Sequence, residues 1–431
     1  MQALGFAHAA FFVSRLNGKL NIGKAVTDKL TVKNLFKVFG PNPEQAIELA
    51  KQGVAKDEIY RQTESVVAVN DVSLSVKERE LFVVMGLSGS GKSTLIRCFN
   101  RLIDPSSGEI LVDGESLTNA SDEELRQLRK NKMSMVFQHF ALFPHKTVCE
   151  NAEYGLKVRG IPRRERREKA MAALEAVGLD AWADAYPDNL SGGMQQRVGL
   201  ARGLAVDPEV LLMDEPFSAL DPLIRREMQD ELAGIQSKYK TTIIFITHDL
   251  HEALKLGNHI AIMKDGRFVQ VGPPEEIVTA PADDYVAAFT HDVDRGRVLR
   301  AESIMEAPVT LQAGKDTASS AVARMDEVGQ DCLYVVDEKG QPAGYVRRDM
   351  LAEIPGDTKI SSAMESNYPQ TDPGRFLFEL YEQCAEGVPV AVQSEDGKFL
   401  GVVQPSQVFT ELVSEESTAG SQDKAPAGAA Q

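Results

Sequence analysis

The chain has 431 residues, 43% of them hydrophobic and 26% charged, with a formal charge of −16. That length implies two or three domains, and the composition is that of a globular protein without the roughly 20-residue apolar run of a membrane span. The charge is uneven: residues 301–431 hold 9 Lys+Arg against 22 Asp+Glu, so the first 300 residues are close to neutral and a boundary falls near residues 295–302. The strongly acidic C-terminal third speaks against nucleic acid as its partner. The four cysteines, Cys98, Cys149, Cys332 and Cys384, lack metal-ligand spacing and read as small buried apolar groups.

In chain order, residues 1–27 show no periodicity and read as a flexible leader. Ala9–Val13 is too short for a secretory signal, and no basic segment precedes it. Lys29–Leu35 alternates like an edge strand that runs on to Phe39, residues 43–63 read as a helical insert, and Val66–Leu74 as a second strand. The apolar run Leu81–Met85 predicts a buried strand, and Leu95–Phe99 the start of a helix. Between them lies Gly86-Leu87-Ser88-Gly89-Ser90-Gly91-Lys92-Ser93-Thr94, the G-x-x-x-x-G-K-[ST] pattern in the strand–loop–helix setting it requires. Its glycines let the backbone curl so that successive N–H groups and a helix N-terminus face a phosphate. Lys92 is placed to neutralise the β- and γ-phosphates and Ser93 to hold Mg²⁺, so the chain binds a nucleoside triphosphate.

Farther along, Gly108–Gly114 predicts a hairpin, Ser121–Glu124 a capping box, and Met133–Gln138 a strand ending in a glutamine. Arg163–Lys169 interleaves both charge signs like a solvated helix face. Val210–Glu215 is an apolar strand delivering two adjacent carboxylates. Strand alternation turns them in different directions, Asp214 toward Mg²⁺ and Glu215 toward an attacking water. Thr241–His248 is another buried strand, with a histidine at the C-terminal end where open α/β sheets bind ligands. Leu190-Ser191-Gly192-Gly193-Met194-Gln195 opens a helix and offers a second anion-binding N-terminus; taken alone, an ordinary helix cap is the better explanation.

Together and in this order, these motifs resemble the ATP-binding subunits of ABC transporters over roughly residues 28–290. The resemblance implies a P-loop NTPase fold of class α/β, with a mixed sheet core (28–295) and a helical subdomain at about 139–200. It implies a homodimer in which ATP and Mg²⁺ lie between the phosphate loop (Gly86, Ser88, Gly89, Ser90, Gly91, Lys92, Ser93, Thr94) of one copy and the signature (Ser191, Gly192, Gly193, Gln195) of the other. Phe39 matches the adenine-stacking aromatic, Gln138 the lid glutamine that senses Mg²⁺, Glu215 the general base, His248 the switch, and Asp221 a dimer-interface position. Leu87, where many relatives carry Pro, the insert at 43–63 and Phe137–His145 resemble the glycine betaine/proline betaine importers. Those imply a separate membrane permease, an extracytoplasmic solute-binding protein, and a peripheral site on the cytoplasmic face of the inner membrane. Other quaternary-amine importers share the same signals, so choline, carnitine or proline is the alternative cargo.

The C-terminal third repeats itself weakly. Ser303-Ile304-Met305-Glu306 answers Ser362-Ala363-Met364-Glu365, and Gly344-Tyr345-Val346 answers Gly401-Val402-Val403. Residues 300–412 thereby resemble a tandem CBS module of α+β class, followed by a disordered tail at 413–431. The resemblance implies regulation. Arg347-Arg348-Asp349 and Gln404–Gln407 depart from the nucleotide-binding pattern of such modules, which leaves a packing role equally open. Ionic-strength sensing, with Arg347 and Arg348 touching anionic lipid, is a third reading.

Overall fold

A computed structural model describes residues 28–138, 141–218, 220–239 and 241–413. The leader expected at 1–27 lies outside them, as does the expected tail beyond its first residue. The chain opens with β1 (Asp28–Phe39), whose Leu30, Val32, Leu35, Phe36 and Val38 are buried. Then come α1 (Pro43–Lys51), with proline at its first turn, α2 (Lys56–Thr63) and β2 (Val66–Lys77). Ala46, Ile47 and Ala50 of α1 and Ile59 of α2 pack on Phe36, Val38 and Val67, so the two short helices cover one end of the β1–β2 pair.

β1 is not the edge strand that its opening alternation predicts. It pairs antiparallel with β2 on one side and with β4 (Ser107–Val112) on the other. The reason is a break in alternation: between Val32 and Leu35 the register with β2 shifts, Asn34 takes φ +45°, and Leu35 and Phe36 are both buried. β5 (Glu115–Ser116) completes this four-stranded sheet through the turn Asp113-Gly114, both residues at positive φ, as a tight hairpin requires.

Between these strands lie β3 (Leu81–Met85), buried throughout, and α3 (Lys92–Phe99). After the hairpin, α4 (Asp122–Asn131) starts at the Ser121/Glu124 capping box and leads into β6 (Met133–Val136). The helical stretch that follows includes α5 (Val148–Ala152), α6 (Tyr154–Val158) and α7 (Arg163–Glu175). α7 carries the exposed pairs Arg164–Glu168 and Glu165–Lys169, whereas Arg166 turns inward to Glu153 at 3.1 Å. Next come α8 (Gly192–Ala205), β7 (Val210–Asp214), α9 (Pro222–Tyr239) and β8 (Thr242–Thr247). β6, β7 and β8 run parallel side by side, and every residue of β7 and β8 is buried, which is why both read as unbroken apolar runs. α10 (Leu250–Leu256), β9 (His259–Lys264), β10 (Arg267–Gly272) and α11 (Pro274–Thr279) follow.

The described residues fall into two compact units. One takes the chain through Phe82, Leu87–Ile246 and Lys264–Arg267; the other takes Val83–Gly86, Thr247–Met263 and the chain from Phe268 onward. Within the second, each half of the C-terminal third builds a three-stranded sheet of one parallel and one antiparallel pairing. The first holds β11 (Thr310–Gln312), β12 (Cys332–Val336) and β13 (Pro342–Arg347), with α12 (Ala318–Val328) and α13 (Arg348–Ala352). The second holds β14 (Gln370–Thr371), β15 (Val390–Gln393) and β16 (Phe399–Val403), with α14 (Tyr381–Cys384) and α15 (Pro405–Val413).

The two halves interlock. Leu299 and Ala301, ahead of the first sheet, sit in the core of the second beside Leu377 and Val403. Backbone bonds fix them there, from Leu377 N–H to the Leu299 carbonyl (3.0 Å) and from Ala301 N–H to that of Arg375 (2.8 Å). Glu306 bridges to Val402, and Tyr345 to Glu365. Tyr334 lies at the join, its buried hydroxyl donating to the Pro389 carbonyl at 2.6 Å.

Candidate functional site

The loop after β3 is bent at three glycines of positive φ, Gly86 (+150°), Gly89 (+80°) and Gly91 (+106°). Gly86 is buried, Leu87, Ser88 and Gly89 are exposed, and Ser90 is buried again, so the loop presents its middle to solvent. Gly91 stands at the N-terminus of α3, where unpaired backbone N–H groups and the helix dipole favour an anion. Lys92 is buried; its ammonium donates to the Leu87 carbonyl at 3.0 Å, across the base of the loop. Burial lowers its pKa, against the opposing pull of the Glu215 and Asp214 carboxylates. Ser93 and Thr94 follow on the first turn, both half-buried.

Asp214, the last residue of β7, is fully buried and gathers two partners. The Ser93 hydroxyl donates to one carboxylate oxygen at 2.8 Å, and the Arg97 guanidinium to the other at 3.2 Å. A hard cation takes oxygen ligands, commonly one or two from the protein and the rest from phosphate and water. The Ser93–Asp214 pair fits that donor set, and no group of three or more His, Cys, Asp or Glu among the described residues offers another.

Glu215 departs from strand geometry altogether. Its φ is +46°, a conformation that costs a residue with a side chain about 1–3 kcal/mol and persists only where its surroundings enforce it. Here its N–H bonds the Ile246 carbonyl of β8 at 3.0 Å. The half-buried carboxylate accepts from the Gln138 amide at 3.2 Å, two residues past the end of β6. The left-handed turn, rather than strand alternation, therefore separates Glu215 from Asp214. The structure thus brings Lys92, Ser93, Asp214, Glu215 and Gln138 together. Arg97 belongs with them and was missed by sequence reasoning; its only local signal is its place one helical turn after Ser93.

The other expected site residues have separate surroundings. Phe39 ends β1 with its ring 43% exposed and the Lys37 ammonium 4.8 Å above it. Ser191 caps α8 by accepting from Met194 N–H, with Gly192 exposed beside it. Gly193 passes so close to Leu220 that a Cβ there would stand 3.0 Å from the leucine methyl. Gln195 faces its own loop, donating to the Pro187 and Leu190 carbonyls at 3.0 and 3.4 Å. Asp221 is exposed and accepts from the N–H groups of Leu223 and Ile224, each at 3.1 Å, which starts α9. His248, directly after β8, is exposed.

A phosphate-binding loop beside a Ser–Asp pair, with a second carboxylate held by glutamine on the next parallel strand, defines a P-loop ATPase. The model of the ABC transporter family matches residues 69–218. The glycine betaine/carnitine transport ATP-binding protein GbuA of Listeria monocytogenes is 46% identical over 391 residues, 90% of this chain and 98% of that one. The glycine betaine/proline betaine transport system ATP-binding protein ProV of Salmonella typhimurium is 45% identical over 389 residues, 89% and 97% of the two chains. The trimethylamine N-oxide transport system ATP-binding protein TmoW of Pelagibacter ubique is 46% identical over 319 residues, 73% of this chain and 93% of that one. Among solved structures, dimeric MJ0796, a bacterial ABC transporter cassette, is 31% identical with a TM-score of 0.50, covering 57% of this chain and 98% of that one. The chain belongs to the ATP-binding subunits of ABC transporters.

No helix among the described residues is long and apolar enough to cross a membrane. In the C-terminal third, Arg347 faces Asp349 at 3.2 Å, and Arg348 faces Asp326 (2.8 Å) and Asp331 (2.6 Å).

Proposed function

We propose that this chain hydrolyses ATP to energise the uptake of glycine betaine, proline betaine and related osmoprotectants through a separate membrane permease. The observation that carries the reading is the reach of the relatives: identity of 45–46% extends over about nine-tenths of the chain, C-terminal third included. Trimethylamine N-oxide transport in a relative of equal identity makes the cargo class, small methylated amines, firmer than any one member of it.

In this reading two copies pair, each phosphate loop facing the other's Ser191 signature, with Phe39 against adenine and Asp221 at the interface. Lys92 and the loop N–H groups hold the β- and γ-phosphates. Ser93, Asp214 and Gln138 would hold Mg²⁺, which supplies charge neutralisation on the phosphates. Glu215, fixed by Gln138 and by its own strained turn, takes the proton of the attacking water, and His248 contacts the γ-phosphate. The domain division is 28–295 for the ATPase and 300–412 for a tandem CBS module that regulates it. The complete system adds an extracytoplasmic solute-binding protein and sits at the cytoplasmic face of the inner membrane. An anionic-lipid contact at Arg347 and Arg348 has to compete with the three carboxylates that already face them.

Glu215→Gln tests the chemistry. A positioned base is worth about 10²–10⁴-fold, so the variant binds ATP and loses at least a hundredfold in turnover; turnover near wild type sinks the assignment. For the cargo, betaine-stimulated hydrolysis is measured with permease and binding protein in anionic-lipid vesicles across a salt series. Stimulation that rises with salt supports both cargo and sensing. Stimulation indifferent to salt keeps the importer and removes the sensor. No response to betaine from an intact complex refutes the cargo.

A further inference from the structure

His248 lies between two residues whose bonds the sequence motifs leave unmentioned. Thr247, the last residue of β8, is 2% exposed, and its hydroxyl donates at 2.6 Å to a carboxylate oxygen of Glu252, itself 4% exposed. The same hydroxyl accepts the backbone N–H of Asp249 at 2.9 Å. A hydroxyl that accepts from the residue two positions on forms a closed side-chain turn, and the residue enclosed by this turn is His248. Asp249 in turn caps α10, accepting from the N–H groups of His251 (2.9 Å) and Glu252 (3.4 Å). The backbone on both sides of His248 is thus tied to the first turn of one helix.

That helix is itself pinned. It ends at Gly257, whose N–H returns to the Ala253 carbonyl at 2.9 Å, and a Cβ at Gly257 would stand 3.0 Å from the Val83 side chain of β3. α10 therefore rests against the strand that delivers Gly86. The chain of contacts runs from that strand, through α10 and its buried carboxylate, to Thr247 and the turn at His248. His248 is left exposed while its backbone is held from beneath.

We propose that Glu252 is a positioning residue for His248: through the Thr247 hydroxyl it fixes the turn that aims the imidazole. A hydroxyl bonded to a buried carboxylate makes a strong, charge-assisted hydrogen bond, so the pair holds the turn closed. The inference rests on His248 serving the γ-phosphate, as read above. Glu252 is buried beneath the turn, and its loss acts on turnover rather than on ATP affinity.

The test uses ATP hydrolysis and nucleotide binding by the full-length chain. Thr247→Val and Glu252→Leu, both close to isosteric, each remove the bond. Each is expected to lower kcat at least tenfold, with Kd for a fluorescent ATP analogue within about twofold of wild type. Thr247→Ser, which keeps the hydroxyl, restores most of the turnover lost in Thr247→Val. In a His248→Ala background neither substitution costs a further factor of more than about two, because the group they position is gone. Near-normal kcat in Thr247→Val and Glu252→Leu, or losses that multiply in full with His248→Ala, overturns the positioning role. Wild-type turnover in His248→Ala alone overturns the reading of His248 itself, and the inference with it.

Discussion

Lys29 offers a quantitative test of how the two ends of the first unit are tied. Its side chain is 11% exposed, and its ammonium lies 2.7 Å from Asp113 in the hairpin turn and also bonds Glu209, just ahead of β7. Replacing it by methionine keeps the stem packed and removes the charge. A buried charge left unpaired costs about 3–5 kcal/mol, but neither carboxylate is stranded here. Asp113 keeps Lys132 at 3.0 Å, and Glu209 is 48% exposed and can hydrate. The loss is closer to one charge-assisted hydrogen bond, offset by easier burial of the methionine, so Lys29→Met should destabilise by about 1–2 kcal/mol near pH 7. The pH dependence follows from the shifts. Burial opposes ionisation of both groups, yet the mutual bonds win: Lys29 is raised and Asp113, facing Lys29 and Lys132, is lowered. The raised lysine contributes fully below its unfolded pKa of about 10.4 and loses that contribution as pH climbs through its folded value. The depressed aspartate contributes above about pH 3.9 and loses it as pH falls through its lower folded value. Urea unfolding of wild type and variant should therefore show a constant gap from about pH 5 to 9, narrowing in acid below it. No gap at pH 7, or a gap that widens on acidification, would refute the reasoning.

Tyr334→Phe removes a hydroxyl that reaches both the Pro389 (2.6 Å) and Pro369 (3.2 Å) carbonyls; Pro369 keeps the Ala391 N–H while Pro389 loses this donor, so the loss should be about 1–3 kcal/mol. Thermal unfolding followed by near-UV circular dichroism checks it. Asp221→Ala strips two N–H groups of their cap and should cost about 1 kcal/mol, with Asp221→Asn costing much less; chemical denaturation of the two variants decides. Burial pushes the Cys98 thiol up to about 12, and its side chain is inaccessible, so native protein at pH 8 should leave it unlabelled by a thiol reagent while denatured protein labels at all four cysteines.

What could be read from the sequence depended on distance along the chain. The glycine loop, the capping box at Ser121 and the apolar strands β7 and β8 are patterns confined to a few neighbouring residues, and each stands where its pattern lies. β1 misled because its first seven residues alternate, while the bulge that makes it central begins only after Val32. Arg97 escaped because its partner Asp214 is 117 positions away, and a basic residue on a short helix announces nothing by itself. The left-handed turn at Glu215 was equally hidden, since a Met-Asp-Glu run continuing a strand carries no glycine to flag it. Gln195 was grouped with the signature because of its position in the motif, yet its amide faces the loop behind it.

The interlocked C-terminal third means that its unit of sequence and its unit of folding differ. Leu299 and Ala301 precede one repeat and complete the interior of the other. A fragment ending between the two sheets would leave those side chains facing water, and a fragment starting there would lack them. The first piece keeps its own interior, built on Leu311, Ala321, Leu333 and Val346, and would only bare two apolar side chains, whereas the second could close its interior only by borrowing the missing segment from another molecule.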